Sequence, residues 1–201
     1  MLHIRTPLIL HPGLSSPARR IWLKLENLQP SGSFKLRGMG LLCSQAAAQG
    51  KTRVVCPSGG NAGFATAVAA VSLGLQACIV VPHTTPESTR ARIRETGAEV
   101  IVHGKVWDEA NQRAVELSQG ADTEYVPAFD HPVLWQGHSA MVDEILEDGP
   151  QVDALVTSVG GGGLLAGLDH PAIAQAHDVV IVVCGGVSIT PALVAGWARH
   201  A

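Results

Sequence analysis

The sequence predicts an α/β fold built on parallel sheet, and three observations carry that prediction. Short apolar runs alternate along the chain with stretches of helical length. Three of those runs end in glycine-rich turns. Apolar residues make up 46% of the 201 positions and charged residues 15%, against about 25% charged in ordinary soluble domains. A chain of that make-up can fill a core and does not remain disordered. Strand, helix, strand at this spacing gives βαβ units, whose crossovers make neighbouring strands parallel.

Taken in order, residues 21–25 form a short strand. A small-residue turn then leads to a helix start at Lys35. Residues 52–56 are a strand ending at Pro57-Ser58-Gly59-Gly60, and a helix of small residues follows over 61–73. Residues 77–81 are a strand stopped by Pro82. A helix over 86–96 and a strand over 99–102 come next. The helix over 107–119 carries Asp108 and Glu109 in its first turn, where carboxylates suit the helix dipole. Residues 138–146 read as a helix ending before Asp148-Gly149-Pro150. A buried strand over 154–159 runs into four glycines, and the helix that starts there is stopped by Asp169 and Pro171. Residues 179–183 form a further apolar strand, and 191–200 a closing helix.

Composition narrows the function. A net charge of −3 argues against nucleic acid, and 4% aromatics argue against a base-stacking platform. The opening Met1-Leu2-His3-Ile4 lacks the apolar stretch of a signal peptide, and no run reaches 18 apolar residues, so a soluble, cytoplasmic protein with no membrane partner is expected. Cys43, Cys56, Cys78 and Cys184 are widely spaced, which fits buried thiols better than a disulfide scaffold or a metal site.

The three glycine-rich turns cover 57–63, 158–163 and 184–186. Open α/β sheets bind ligands at the carboxyl ends of their strands, and backbone N–H groups at a helix start favour anions. The four-glycine run is the best phosphate candidate. Gly161, Gly163 and Ala166 satisfy a loose dinucleotide pattern, but the ribose-binding acid about 20 residues further on is absent. Lys35 follows Phe34 at a helix start, where desolvation lowers an amine's pKa and makes it nucleophilic. A lone Ser-Phe-Lys more often marks a surface lysine beside a core phenylalanine.

Lys35 is not isolated. Ser-Gly-Ser-Phe-Lys-Leu-Arg-Gly over 31–38, Ser-Gly-Gly-Asn-Ala-Gly over 58–63 and Ser-Val-Gly-Gly-Gly-Gly-Leu over 158–164 occur in that order. Together they resemble the pyridoxal-phosphate enzymes of the tryptophan-synthase-β fold type. Within these the chain is most similar to the serine/threonine dehydratases, specifically the mammalian-type L-serine dehydratase and serine dehydratase-like subgroup. Residues 104–111, Phe129-Asp130-His131-Pro132, Trp135 and 182–186 fit that subgroup too.

The resemblance implies a two-lobed, three-layer fold. Residues 31–131 would form the small domain, and 1–30 plus 132–201 an incomplete cofactor domain. It implies that Lys35 carries the Schiff base to pyridoxal 5′-phosphate and shuttles the substrate Cα proton. Phe34 would lie against the cofactor ring, Asn61 would bond the ring hydroxyl, and Cys184 would face the ring nitrogen. Gly160, Gly161, Gly162, Gly163 and Leu164 would cradle the phosphate. Ser58, Gly59, Gly60 and Ala62 would hold the carboxylate of a small amino-acid substrate. The implied reaction is dehydration of L-serine, with L-threonine as a second substrate, to the 2-oxo acid and ammonia, and a homodimer is the implied assembly. The chain departs from the family after Leu168: residues 179–197 resemble the family's C-terminal end, and a long internal stretch between is missing. Two alternatives follow, a catalytically impaired remnant and a β-replacement enzyme similar to the cysteine synthases.

Overall fold

The computed structural model describes residues 1–17, 20–149, 151–158 and 178–186. Among them are two four-stranded sheets. The first is all parallel, with strand order β5-β4-β3-β6, formed by β3 (Arg53–Cys56), β4 (Gln76–Val81), β5 (Glu99–Val102) and β6 (Thr123–Tyr125). Successive side chains on its strands point to opposite faces, and both faces are covered. Val54, Cys56, Ile79 and Val81 pack with α1 (Lys35–Ala48) and α2 (Asn61–Ser72). Val55, Cys78 and Val80 meet Ala110 and Ala114 of α4 (Trp107–Leu117) on the other side. This explains why the strands read as unbroken apolar runs. The buried face of α2 is almost entirely alanine and glycine, which lets it lie close to the sheet. The remaining helix of this half, α3 (Glu87–Glu95), buries only Ile93.

The second sheet has the order β1-β2-β8-β7, from β1 (Leu8–Leu10), β2 (Ile21–Lys24), β7 (Ala154–Val156) and β8 (Val179–Val182). Strands β2, β8 and β7 are parallel, and Ile21 and Ala154 both pair with Val179. The long helix α5 (Pro132–Asp148) supplies Met141, Val142 and Ile145, which pack with Val180 and Val182.

Three sequence expectations need correction. The helix expected over 138–146 begins six residues earlier, because His131 caps it through Nδ1 (Val133 N–H donates, 3.2 Å) and Pro132 takes the first helical position. Gly137 therefore lies inside the helix, where it marks a crossing. A Cβ on it would sit 2.5 Å from the Arg37 carbonyl oxygen, and one on Gly38 would sit 2.7 Å from His138 Cε1. Second, the strand expected over 154–159 ends at Val156, and Thr157 and Ser158 leave it as loop. Third, β1 and β6 are additional: each is three residues long, too short for a period-2 pattern to show. Val159, the helix expected after Gly163 and the helix expected over 191–200 lie outside the described residues.

The α1–α5 crossing yields a stability prediction. Alanine has the better helix propensity, yet Gly137→Ala is expected to destabilise the fold by about 1–3 kcal/mol, because its methyl group meets backbone that cannot rotate away. Urea unfolding checks this. A midpoint equal to or above that of the parent chain would contradict the close approach.

Candidate active site

The end of β8 and the turn before α1 are laced together through the backbone. Asn27 N–H donates to the Val183 carbonyl at 3.0 Å and Phe34 N–H to the Cys184 carbonyl at 3.1 Å. Ser33 and Gly185 form an isolated antiparallel bridge. Gly185 is required here on two grounds. Its φ is +75°, and a Cβ would run into the Gly32 carbonyl oxygen.

Lys35 opens α1 directly after this lacing. Its Nζ donates to the Ala128 carbonyl at 2.8 Å, and it forms no ion pair among the described residues. Burial lowers the pKa of this half-buried amine, with Cys56 acting in the opposite direction. The Phe34 ring lies 5.3 Å from Nζ and meets His138 edge-on at 5.0 Å between centroids. His138 is fully buried, and among the described residues neither ring nitrogen has a hydrogen-bond partner. Burial, then the charges of Lys35 and Arg37, push its pKa down to about 3, so the imidazole is neutral near pH 7.

Two residues beyond Lys35, Arg37 joins a buried group of four charges that sequence reasoning did not foresee. Arg37 Nε and one terminal nitrogen donate to both oxygens of Glu26, each at 2.7 Å. Its terminal nitrogens also donate to Glu144, at 2.8 and 2.7 Å. Lys24 Nζ donates to Glu144 at 2.6 Å and to the Thr6 carbonyl at 2.8 Å. Arg37, Lys24 and Glu26 have no solvent exposure. The available signal was Lys24, a charge inside the apolar run Ile-Trp-Leu-Lys-Leu.

The other candidate residues are placed as follows. Asn61 opens α2, and its Nδ2 donates to the Gly185 carbonyl at 3.4 Å. The Ser58 hydroxyl accepts from Gly60 N–H at 3.3 Å. Gly59 lies against Thr85, whose Cγ2 would be 2.6 Å from an added Cβ, and Ala62 is buried behind the turn. Cys184 Sγ is 3.3 Å from Ser158 Oγ, 3.7 Å from Thr157 Oγ1 and 3.5 Å from the Val182 carbonyl. Phe34, Lys35, Asn61 and Cys184 thus gather around the Ser33–Gly185 bridge. Gly160, Gly161, Gly162, Gly163 and Leu164 lie outside the described residues.

A half-buried amine with no acid to hold its proton among the described residues, beside an aromatic ring and next to a backbone bridge that also holds an amide and a thiol, suits an aldehyde cofactor with an aromatic ring. The model of one family, described as "Pyridoxal-phosphate dependent enzyme", matches residues 1–200. The chain belongs to this family. It is 51% identical over 170 residues to a "Serine dehydratase-like" protein of Homo sapiens, covering 83% of this chain and 51% of that protein. It is 44% identical over 183 residues to an "L-serine dehydratase" of Dictyostelium discoideum, covering 83% of this chain and 52% of that protein. Among solved structures, a fungal L-serine ammonia-lyase from Rhizomucor miehei superposes with a TM-score of 0.75 at 42% identity, over 83% of this chain and 54% of that one. The chain therefore spans about half the length of the curated relatives it matches. The family implies pyridoxal 5′-phosphate as cofactor, and the uncharged donor set at Cys184 fits its ring nitrogen: the thiol's neighbours are two hydroxyls and a carbonyl. Among the described residues no helix is long and apolar enough to cross a membrane.

The sealed charges make stability depend on acid. Burial pushes the Glu144 carboxyl up, but hydrogen bonds from Arg37 and Lys24 outweigh it and hold the pKa below the ordinary 4.5. A carboxylate depressed in the folded state contributes stability that is present above its unfolded pKa and lost as pH falls through the folded one. Unfolding free energy should therefore decline progressively below about pH 4.5. Glu144→Gln should lower stability near neutrality by about 3–5 kcal/mol, since it leaves buried cations under-paired, and should flatten the acid decline. Urea unfolding across that range checks both. An acid decline identical in parent and variant would contradict this account of the network.

Proposed function

We propose that this chain binds pyridoxal 5′-phosphate through Lys35 and dehydrates L-serine, with L-threonine as a second substrate, to pyruvate or 2-oxobutanoate and ammonia. The observation that carries the proposal is the setting of Lys35. Its amine is half-buried, accepted by a backbone carbonyl rather than a carboxylate, and carries a lowered pKa at the opening of α1. That environment favours the neutral amine that covalent attachment needs. The names of the relatives support the substrate class.

When bound, the cofactor supplies an electron sink that makes a substrate Cα proton removable. In this reading Lys35 anchors it and moves the Cα proton. Phe34 supplies an apolar surface for the ring, and the Asn61 amide and Cys184 thiol supply polar contacts. A thiol in place of a carboxylate leaves the ring nitrogen without a fixed negative charge, which favours elimination over transamination. Gly160 to Gly163 with Leu164 hold the phosphate. Ser58, Gly59, Gly60 and Ala62 hold the substrate carboxylate through a hydroxyl and the N–H groups at the start of α2. The same reading places residues 31–131 in a small domain and 1–30 plus 132–201 in the cofactor domain. It also includes a cytoplasmic location, which the four free cysteines support, and a homodimer, which the family resemblance supports.

One observation favours a second reading, a chain that binds cofactor but turns over poorly: it spans about half the length of its relatives. One experiment separates the two. The purified chain is loaded with pyridoxal 5′-phosphate, scanned for a visible absorbance band, reduced with borohydride and peptide-mapped. The expected label is on Lys35, and label on Lys24, Lys51 or Lys105 would overturn the assignment. Lys35→Ala should lose the band altogether. Pyruvate and ammonia formed from L-serine alone support the dehydratase. Cysteine formed from O-acetylserine and sulfide, without pyruvate from serine, would replace it with β-replacement. A Lys35 label with no product establishes the impaired reading.

A further inference from the structure

Trp107 has no part in the chemistry above, yet its side chain joins the two loops that flank Lys35. Its approach is fixed from below. Gly104 has φ +76° and packs so closely on Glu109 that a Cβ there would collide with the Glu109 side chain. Lys105 N–H donates to Glu109 Oε2 at 2.6 Å, and His83 N–H donates to the Gly104 carbonyl at 2.8 Å. Trp107 then opens α4, and its indole Nε1–H donates to the Pro57 carbonyl at 2.6 Å, immediately before Ser58. The same indole stands 6.1 Å from the Phe129 ring, tilted by 34°. Phe129 follows Ala128, whose carbonyl accepts from Lys35 Nζ. Trp107, Tyr125, Pro127, Ala128, Phe129 and Asp130 line a cavity of about 290 Å³ on the Phe129 side of the indole.

The segment Ser58-Gly59-Gly60 has little to stiffen it from within. Two glycines carry the largest backbone entropy of any residue type, and the Ser58 Oγ to Gly60 N–H contact, at 3.3 Å, is long. An anion site made of backbone N–H groups binds well only if those groups already point at the ligand, so an outside restraint on the turn becomes affinity.

We propose that Trp107 is a positioning residue: its indole N–H holds the 57–60 turn in register with the Lys35–Ala128 contact, and so sets affinity for the amino-acid substrate rather than cofactor attachment or turnover rate. The proposal rests on the reading of Ser58 to Gly60 as the carboxylate turn.

The test uses Trp107→Phe, which keeps a ring against Phe129 and removes the N–H. In the cofactor-free chain, amide hydrogen exchange in the 57–64 peptide should accelerate roughly five- to tenfold, the loss expected for one net hydrogen bond. Exchange in the 76–81 strand should not change, which controls for folding. In the loaded chain the L-serine concentration that half-saturates the change in the visible band should rise by a similar factor. KM should follow it, with kcat within about twofold and borohydride labelling of Lys35 unchanged. Unaltered exchange in 57–64 would overturn the proposal whatever the substrate proves to be. Faster exchange with unaltered serine affinity, or a parent chain that binds no serine, would overturn the link to the substrate. Faster exchange and weaker serine binding in a chain that forms no product would uphold Trp107 and reject the dehydratase.

Discussion

Two cations and two anions, three of them without solvent exposure and Glu144 nearly so, fix the geometry of this protein. Arg37 grips Glu26 and Glu144 through both edges of its guanidinium, and Lys24 closes the group from β2. The Thr6 hydroxyl completes Glu26. The group is neutral overall, and every member is hydrogen-bonded, which is the condition under which buried charge is tolerated. Its members come from the amino-terminal segment, β2, the turn after it, α1 and α5. None of those segments can shift without stranding a charge in a medium that cannot solvate it. Such a network specifies one arrangement rather than adding much net stability, and that suits a site assembled from distant parts of the chain.

The chemistry depends on this arrangement through α1. Arg37 is two residues beyond Lys35, so anchoring the guanidinium sets the first turn of the helix and the direction in which the lysine leaves it. Backbone contacts complete the placement: the Ser33–Gly185 bridge, the Phe34 N–H to Cys184 bond and the glycine demanded at 185 bring the end of β8 against the same turn. On the other side, Asn61 reaches the Gly185 carbonyl from the start of α2. The neutral His138 beneath Phe34 adds no charge of its own to the pocket. Burial therefore lowers the pKa of Lys35, and its amine rests on a backbone carbonyl.

Much of this was legible in the sequence, for identifiable reasons. The strands at Arg53 and Gln76 announced themselves as apolar runs because parallel strands covered on both faces cannot alternate, and the strand at Val179 is an apolar run although only Val180 and Val182 are buried. Lys35 stood out because it follows a small-residue turn at a helix start, Asn61 and Cys184 because the family resemblance picks them out, and the structure gathers all three. Other features were not legible. The start of α5 at Pro132 rather than residue 138 was one, because it is set by the His131 cap, and Gly137, which admits α1, lies inside the helix. β1 and β6 are set by the edges they pair with, and three residues hold no pattern of their own. The charged network was hidden because ion pairing between residues 26, 37 and 144 is a property of the folded chain, and Trp107 because its partner is a backbone carbonyl.

The central claim is that this fold buries the Lys35 amine and lowers its pKa before any cofactor arrives, so that it gives up its proton more readily than a surface lysine. The direct measurement is the pH dependence of Lys35 modification in the cofactor-free chain, by an amine-reactive reagent at limiting dose followed by peptide mapping. The account predicts a midpoint below the ordinary lysine value of 10.5, and below that of Lys51 and Lys105 in the same sample. A Lys35 midpoint at or above 10.5 would show that the amine keeps its proton as a surface lysine does, and would contradict the account.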